Sequence, residues 1–169
     1  MRVVLDTSVL IDFYLECPSG SKPRDFCIDI EMLIEVADEV FVTELSTRVE
    51  IPRAVLNRVV KGSAPIPTND IWSHIEHFVN LARRYPILKL TNDVLLLANR
   101  LYHGAKLTTQ DAVMTAFSAY YGMSLLTSDE KLTKSLGCKC HSLGGYKRLD
   151  ECDCIAEDHS LKIVLARPS

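Results

Sequence analysis

Short apolar runs constrain this chain most. The stretch VVL at 3–5, EVFVT at Glu39–Thr43 and SLLT at Ser124–Thr127 are too brief for helices and rich in β-branched or aliphatic residues, so they read as buried strands. PILKL at 86–90 reads as a third strand or an extended connector, and CKCHSL at 138–143 as a last strand. Between them apolar residues recur at helical spacing: after Val9, over 26–37, from about Ser46 through Val60, over 70–84, 92–103 and 111–121, and over 131–136. Gly122 suits the left-handed position that closes a helix. Short buried strands alternating with helices predict an α/β fold. It is a three-layer sandwich with a central parallel sheet of four to five strands, covered by helices on both faces. Two polar loops, ECPSGSKPRD at 16–25 and KGSAPIPTND at 61–70, do not shift composition enough to divide it. Residues 1–145 read as one domain and 146–169 as a cysteine-containing extension packed on or flanking it.

In a parallel sheet, functional groups gather at the carboxyl ends of the strands. Asp6 follows the first strand directly, and Asp129 follows SLLT within two residues. Glu44 and Glu50 come soon after the second strand, and Asp111 heads the helix that feeds SLLT. Each acid also has a local explanation. Thr108-x-x-Asp111 and Thr47-x-x-Glu50 have capping-box spacing, while Asp6 and Asp129 suit helix caps or Asx turns. Taken together, Asp6, Glu50, Asp111 and Asp129 converge on one edge, where they would repel one another strongly in a low-dielectric cleft. No lysine or arginine is interleaved next to them. A hard divalent cation, Mg²⁺ or Mn²⁺, answers that repulsion, because both favour oxygen ligands. Carboxylates plus such an ion are the inventory of metal-assisted phosphodiester hydrolysis.

Other classes fit less well. There is no Gly-rich phosphate loop ending in Lys-Ser/Thr, and no nucleophile elbow. Asp6 is followed by Thr7 and Ser8, so the Asp-x-Asp of a haloacid dehalogenase-like phosphatase is missing. A net charge of −3 provides no global field for nucleic acid, so any grip on it must be local. No apolar run is long enough to span a bilayer, and Asp6 interrupts the apolar opening of the chain. A cytoplasmic protein with no membrane association is expected.

Three segments carry a resemblance. VVLDTSVLID looks like the opening of a PIN domain, VTELSTRVEIPRAVLNRV resembles its acidic second helix, and LTTQDAVMTAFSAYYGMSLLTSDEKL is similar to its closing segment. The resemblance runs from Met1 to about Leu143, and the order, spacing and strand–helix context of the motifs make it specific. It implies a metal-dependent ribonuclease with Asp6, Glu50, Asp111 and Asp129 at one or two Mg²⁺ or Mn²⁺ ions, Asp6 and Asp111 as direct ligands. Thr7 and Thr127 match small hydroxyl residues beside the metal. Glu44 is the rival to Glu50. The resemblance further implies a VapC-like toxin held by a small antitoxin protein, or a related stand-alone member that processes RNA without one. Such proteins commonly form homodimers, and the amphipathic helices between Asp70 and His103 offer a surface. The other functional class left open is a non-catalytic module that binds RNA or protein on the same fold.

Arg48, Arg53, Arg58 and Lys61 recur along one helix, and Lys131 and Lys134 follow Asp129. Arg48, Arg53 and Lys131 are candidate RNA contacts, the alternative being an ordinary solvated helix face. Six cysteines in a reducing compartment imply free thiols or metal ligands rather than disulfides. Cys138, Cys140, Cys152 and Cys154 form two C-x-C pairs, enough thiolates for zinc. That spacing is not the usual zinc-ribbon one, and cysteine also packs as a small hydrophobe, so ordinary thiols are the first expectation. The run LKIVLA at 161–166 is placed as a docked strand or a partner contact.

Overall fold

The computed structural model describes residues 1–61 and 70–169. The loop expected at 61–70 lies, apart from its two end residues, outside the described residues. Seven strands form one sheet: β1 (Arg2–Leu5), β2 (Glu39–Thr43), β3 (Ile87–Leu88), β4 (Ser124–Thr127), β5 (Lys139–Ser142), β6 (Leu149–Ala156) and β7 (His159–Ala166). Their order is β3-β2-β1-β4-β7-β6-β5. The first five in that order run parallel, and β6 and β5 complete the sheet antiparallel.

The helices follow the expected spacing. They are α1 (Thr7–Ile11), α2 (Arg24–Val36), α3 (Ile51–Val60), α4 (Ile71–Ala82), α5 (Asn92–Gly104), α6 (Thr109–Tyr121) and α7 (Glu130–Ser135). Two wide π-helical turns adjoin them, Asp12–Glu16 after α1 and Ser46–Glu50 before α3. The second has a local cause. Pro52 lies in the first turn of α3 and has no N–H, so an α-type ladder cannot run through it. The Ile51 N–H reaches back five residues to the Ser46 carbonyl instead. That wider turn ends on Glu50.

Strand side chains alternate between two cores, as a period of two requires. Val3, Leu5, Leu126, Val164 and Ala166 pack against apolar residues of α1 to α4, including Phe26, Ile30, Val55 and Phe78. Val4, Leu125, Ile163 and Leu165 pack against α5 and α6, where Leu97, Leu101 and Phe117 are buried. Phe117 is wholly enclosed, and truncating it to alanine would cost about 3–5 kcal/mol.

Residues beyond 145 contribute to this sheet. β7 pairs in parallel with β4, Leu125 opposite Ile163 and Thr127 opposite Leu165, and β6 joins β7 through a hairpin. Glu157 and Asp158 make that turn with φ of 50° and 63°, the left-handed geometry a tight hairpin needs. The expected boundary at 145 therefore falls between neighbouring strands of one sheet, β5 and β6. LKIVLA is a strand, as one of its two readings held.

The cysteines correct the sequence reading. They form three disulfides, Cys17–Cys27, Cys138–Cys154 and Cys140–Cys152, and no described cysteine is free. Strand register brings the sulfurs together. In the β5–β6 ladder Cys140 stands directly opposite Cys152. The C-x-C spacing then places Cys138 on the same face, beside Cys154. Zinc needs Cys138, Cys140, Cys152 and Cys154 to converge on one point. The ladder pairs them two by two instead, so the zinc reading fails with the free-thiol one.

Candidate active site

An open cleft of about 870 Å³ lies at the carboxyl ends of β1 and β4. Asp6, Glu50, Asp111 and Asp129 all line it. Asp6 leaves β1 and caps α1, accepting the Thr7 N–H at 2.8 Å. Asp129 leaves β4 and caps α7, accepting the Lys131 N–H at 2.8 Å. Asp111 stands in the first turn of α6, whose cap is Thr108; the Thr108 hydroxyl accepts the Asp111 N–H at 3.2 Å. These three acids stand at helix starts and line one cleft at the same time. Glu50 differs, because Thr47 bonds the carbonyls of Thr43 and Glu44 and makes no capping box with it.

Hydroxyl groups brace the buried acids. Asp6 Oδ2 accepts from Ser8 Oγ at 2.8 Å and from Thr127 Oγ1 at 2.7 Å. Thr127 Oγ1 also accepts the Asp129 N–H at 3.1 Å, so it links two of the four acids. The Thr7 hydroxyl donates to Glu50 Oε2 and lies 2.8 Å from Ser46 Oγ. Thr7 and Thr127 thus stand beside the acids. Glu44 stands apart: it pairs with Arg48 at 3.4 Å and accepts the Leu90 N–H at 3.2 Å, and it does not line the cleft.

The electrostatics are those of a crowded carboxylate site. Burial lifts the Asp6 carboxyl above its usual range, against the pull of its hydroxyl partners, and the Asp111 charge adds to the lift. Burial likewise raises Glu50 to about 7, and the charges of Asp6 and Asp111 add to it. Asp111 is raised by burial and by Asp129. Among the described residues none of the four pairs with a lysine or arginine.

The donor set fits a hard divalent cation. Every acid donor atom is oxygen, and among the described residues the buried Glu50 Oε1 makes no geometric hydrogen bond, although the Gln110 side chain beside Glu50 helps to hold its charge. A native structure rarely leaves such an atom without a task. Among the described residues no three His, Cys, Asp or Glu side chains form a ready metal cage. Like charges stand apart, and Mg²⁺ keeps several waters in any case.

Of the candidate RNA contacts, Arg53 and Lys131 line the cleft, whereas Arg48 is 72% exposed and paired with Glu44 outside it. Sequence reasoning missed Lys106, which lines the cleft with φ of 53°. It also missed Asn57, Gln110, Ser8, Ser128 and Asp12 in the lining. The serines carried a signal, since both acid-bearing turns, DTS at 6–8 and TSD at 127–129, are rich in hydroxyls. Lys106 carried none.

The family model for the PIN domain matches residues 3–135. Solved structures share the fold. PAE2754 from Pyrobaculum aerophilum is 16% identical with a TM-score of 0.56, over 80% of this chain and 84% of that one. VapBC-5 from Mycobacterium tuberculosis, a member of the VapBC family of toxin-antitoxin systems, is 21% identical with a TM-score of 0.53, over 79% and 89%. VapBC2 from Rickettsia felis, bound to a DNA fragment from the VapBC promoter, is 13% identical with a TM-score of 0.55, over 79% and 92%. No curated protein matches the sequence.

Proposed function

From the premise that the chain belongs to the PIN domain family, we propose that it is a metal-dependent ribonuclease that hydrolyses phosphodiester bonds of RNA as the toxin of a type II toxin-antitoxin pair. The observation that carries this is the convergence of Asp6, Glu50, Asp111 and Asp129 in one cleft, with no ion pair to any of them among the described residues. Asp6 and Asp111 would hold Mg²⁺ or Mn²⁺, and Asp129 and Glu50 would complete the site. When bound, such an ion supplies Lewis-acid neutralisation of phosphate charge and acidifies water.

The chain's own residues do the rest. Ser8 and Thr127 fix Asp6 Oδ2, and Thr7 fixes one oxygen of Glu50 and leaves Oε1 for the ion. Glu50 holds its proton up to about pH 7, so cation loading strengthens as pH rises through that value. Arg53, Lys106 and Lys131, none of them ion-paired among the described residues, meet the phosphates flanking the cleaved bond.

VapBC toxin-antitoxin systems among the structural neighbours favour a small antitoxin as partner over a processing role without one. A homodimer is proposed through α5, where Leu95, Leu96 and Tyr102 are exposed. No helix of the described residues is long and apolar enough to cross a membrane, and we place the activity in the cytoplasm. Three disulfides suit that place best in organisms whose intracellular proteins carry them, hyperthermophiles above all.

The test is direct. Purified protein should cleave single-stranded RNA with Mg²⁺ or Mn²⁺ and stop in EDTA, and Asp6→Asn should lose the activity. If Asp6→Asn cleaves as fast as the parent, the site is wrong. If the parent binds RNA without cleaving it, the non-catalytic module is the right reading.

A further inference from the structure

A fifth acid lines the cleft, and its surroundings differ from those of the other four. Asp12 lies in the π-helical turn after α1 with a side chain 12% exposed. Its Oδ2 accepts from Ser128 Oγ at 2.7 Å. Ser128 is the residue before Asp129, and its N–H donates to Ser8 Oγ at 3.2 Å. Behind Asp12 stands a cation, since Lys22 Nζ is 3.4 Å from Asp12 Oδ1 and 2.9 Å from Glu16 Oε2. Glu16 in turn pairs with Arg58 of α3. Lys22 is carried on the loop that Cys17–Cys27 closes, so the disulfide fastens the cation to the acid.

Among the described residues Asp6, Glu50, Asp111 and Asp129 form no such ion pair. Burial raises the Asp12 carboxyl above its usual range, while the Ser128 hydroxyl and the Lys22 ammonium pull it back and give it partners other than a metal. A charged acceptor also holds a hydroxyl donor more strongly than a neutral one does. Resting on the reading of the cleft as a cation-dependent nuclease site, we propose that Asp12 is a positioning residue: through Ser128 it fixes the turn that aims Asp129 into the site, and Lys22 on its disulfide-closed loop holds it there. Partners of this kind, one bond removed from a metal ligand, set ligand orientation and affinity.

The test uses the full chain, with Mn²⁺ alone and with single-stranded RNA. Asp12→Ala and Ser128→Ala should each lower kcat about ten-fold with KM nearly unchanged. Each should also raise, by about the same factor, the Mn²⁺ concentration giving half the thermal shift. The double variant should be no worse than either single one, because both remove the same bond. Asp12→Asn keeps an acceptor oxygen and should recover part of the loss. If Asp12→Ala fails to fold, Ser128→Ala decides alone. Parental kcat and Mn²⁺ response in Ser128→Ala, or additive losses in the double variant, overturn the positioning role and leave the nuclease reading standing. A parent that neither cleaves RNA nor responds to Mn²⁺ overturns both.

Discussion

At the carboxyl ends of β1 and β4, four carboxylates share a cleft, and burial together with neighbouring charge raises the proton affinity of Asp6, Glu50 and Asp111. At the far edge of the same sheet, two disulfides tie β5 to β6, Cys140–Cys152 within the ladder and Cys138–Cys154 just before β5. The first region spends stability on unresolved like charge, and the second adds covalent constraint. The contrast shows where each kind of chemistry is tolerated. Repulsion collects at strand ends, where helix caps and hydroxyls hold each acid in place. Cross-links collect in a strand ladder whose register already aligns the sulfurs. Functional sites commonly break local rules in this way while the remainder of the fold obeys them.

The largest expected effect lies at the stapled edge. Replacing Cys140 and Cys152 by alanine should destabilise the protein by about 3 kcal/mol in denaturant melts. Cleavage by the molecules that remain folded should be unchanged, because neither residue lines the cleft. A fall in activity per folded molecule would join the two regions and break the comparison. Thiol titration of denatured, unreduced protein should find none of the six cysteines reactive.

A second effect belongs to the cleft and depends on pH. Glu50 binds its proton more tightly folded, at about 7, than it would unfolded, near 4.5. The stability linked to it is thus fully present below about pH 4.5 and is lost as pH rises through about 7. Asp6 and Asp111 shift in the same direction. Metal-free protein should therefore lose up to about 3 kcal/mol over that window, at about 1.4 kcal/mol per pKa unit. Glu50→Gln should flatten the profile, and Mn²⁺ should restore stability at high pH. A parent profile in EDTA that rises from pH 5 to 8 would show that the acids are not crowded.

These two regions also differed in how much the sequence revealed. The parallel core was legible because each strand is a short apolar run followed by an acid or a helix, and Asp6 and Asp129 mark strand ends directly. β6 was not legible, since LDECDCIA mixes charge with cysteine on an exposed antiparallel strand whose buried face is largely sulfur and alanine. The pairing of the cysteines depended on a register that only the folded ladder supplies. Glu50 could be told from Glu44 only once the π-helical turn before Pro52 turned one toward Thr7 and left the other with Arg48. Lys106 escaped because it belongs to no motif, and Asp12, although VVLDTSVLID ends on it, because only the fold brings it to Ser128; their positions follow from how α1 and the loop before α6 close over the strand ends.

The smallest expected change in stability gives the sharpest test of the claim that the four acids form one cation-requiring site. Thermal melts of the parent and of Asp111→Asn, each in EDTA and in Mn²⁺, separate a helix cap from a shared charge. Crowding predicts that Asp111→Asn in EDTA is as stable as the parent or more so, within about 1 kcal/mol, and gains clearly less from Mn²⁺. A variant that melts lower in EDTA and responds to Mn²⁺ as the parent does would return Asp111 to the helix end and contradict the shared site.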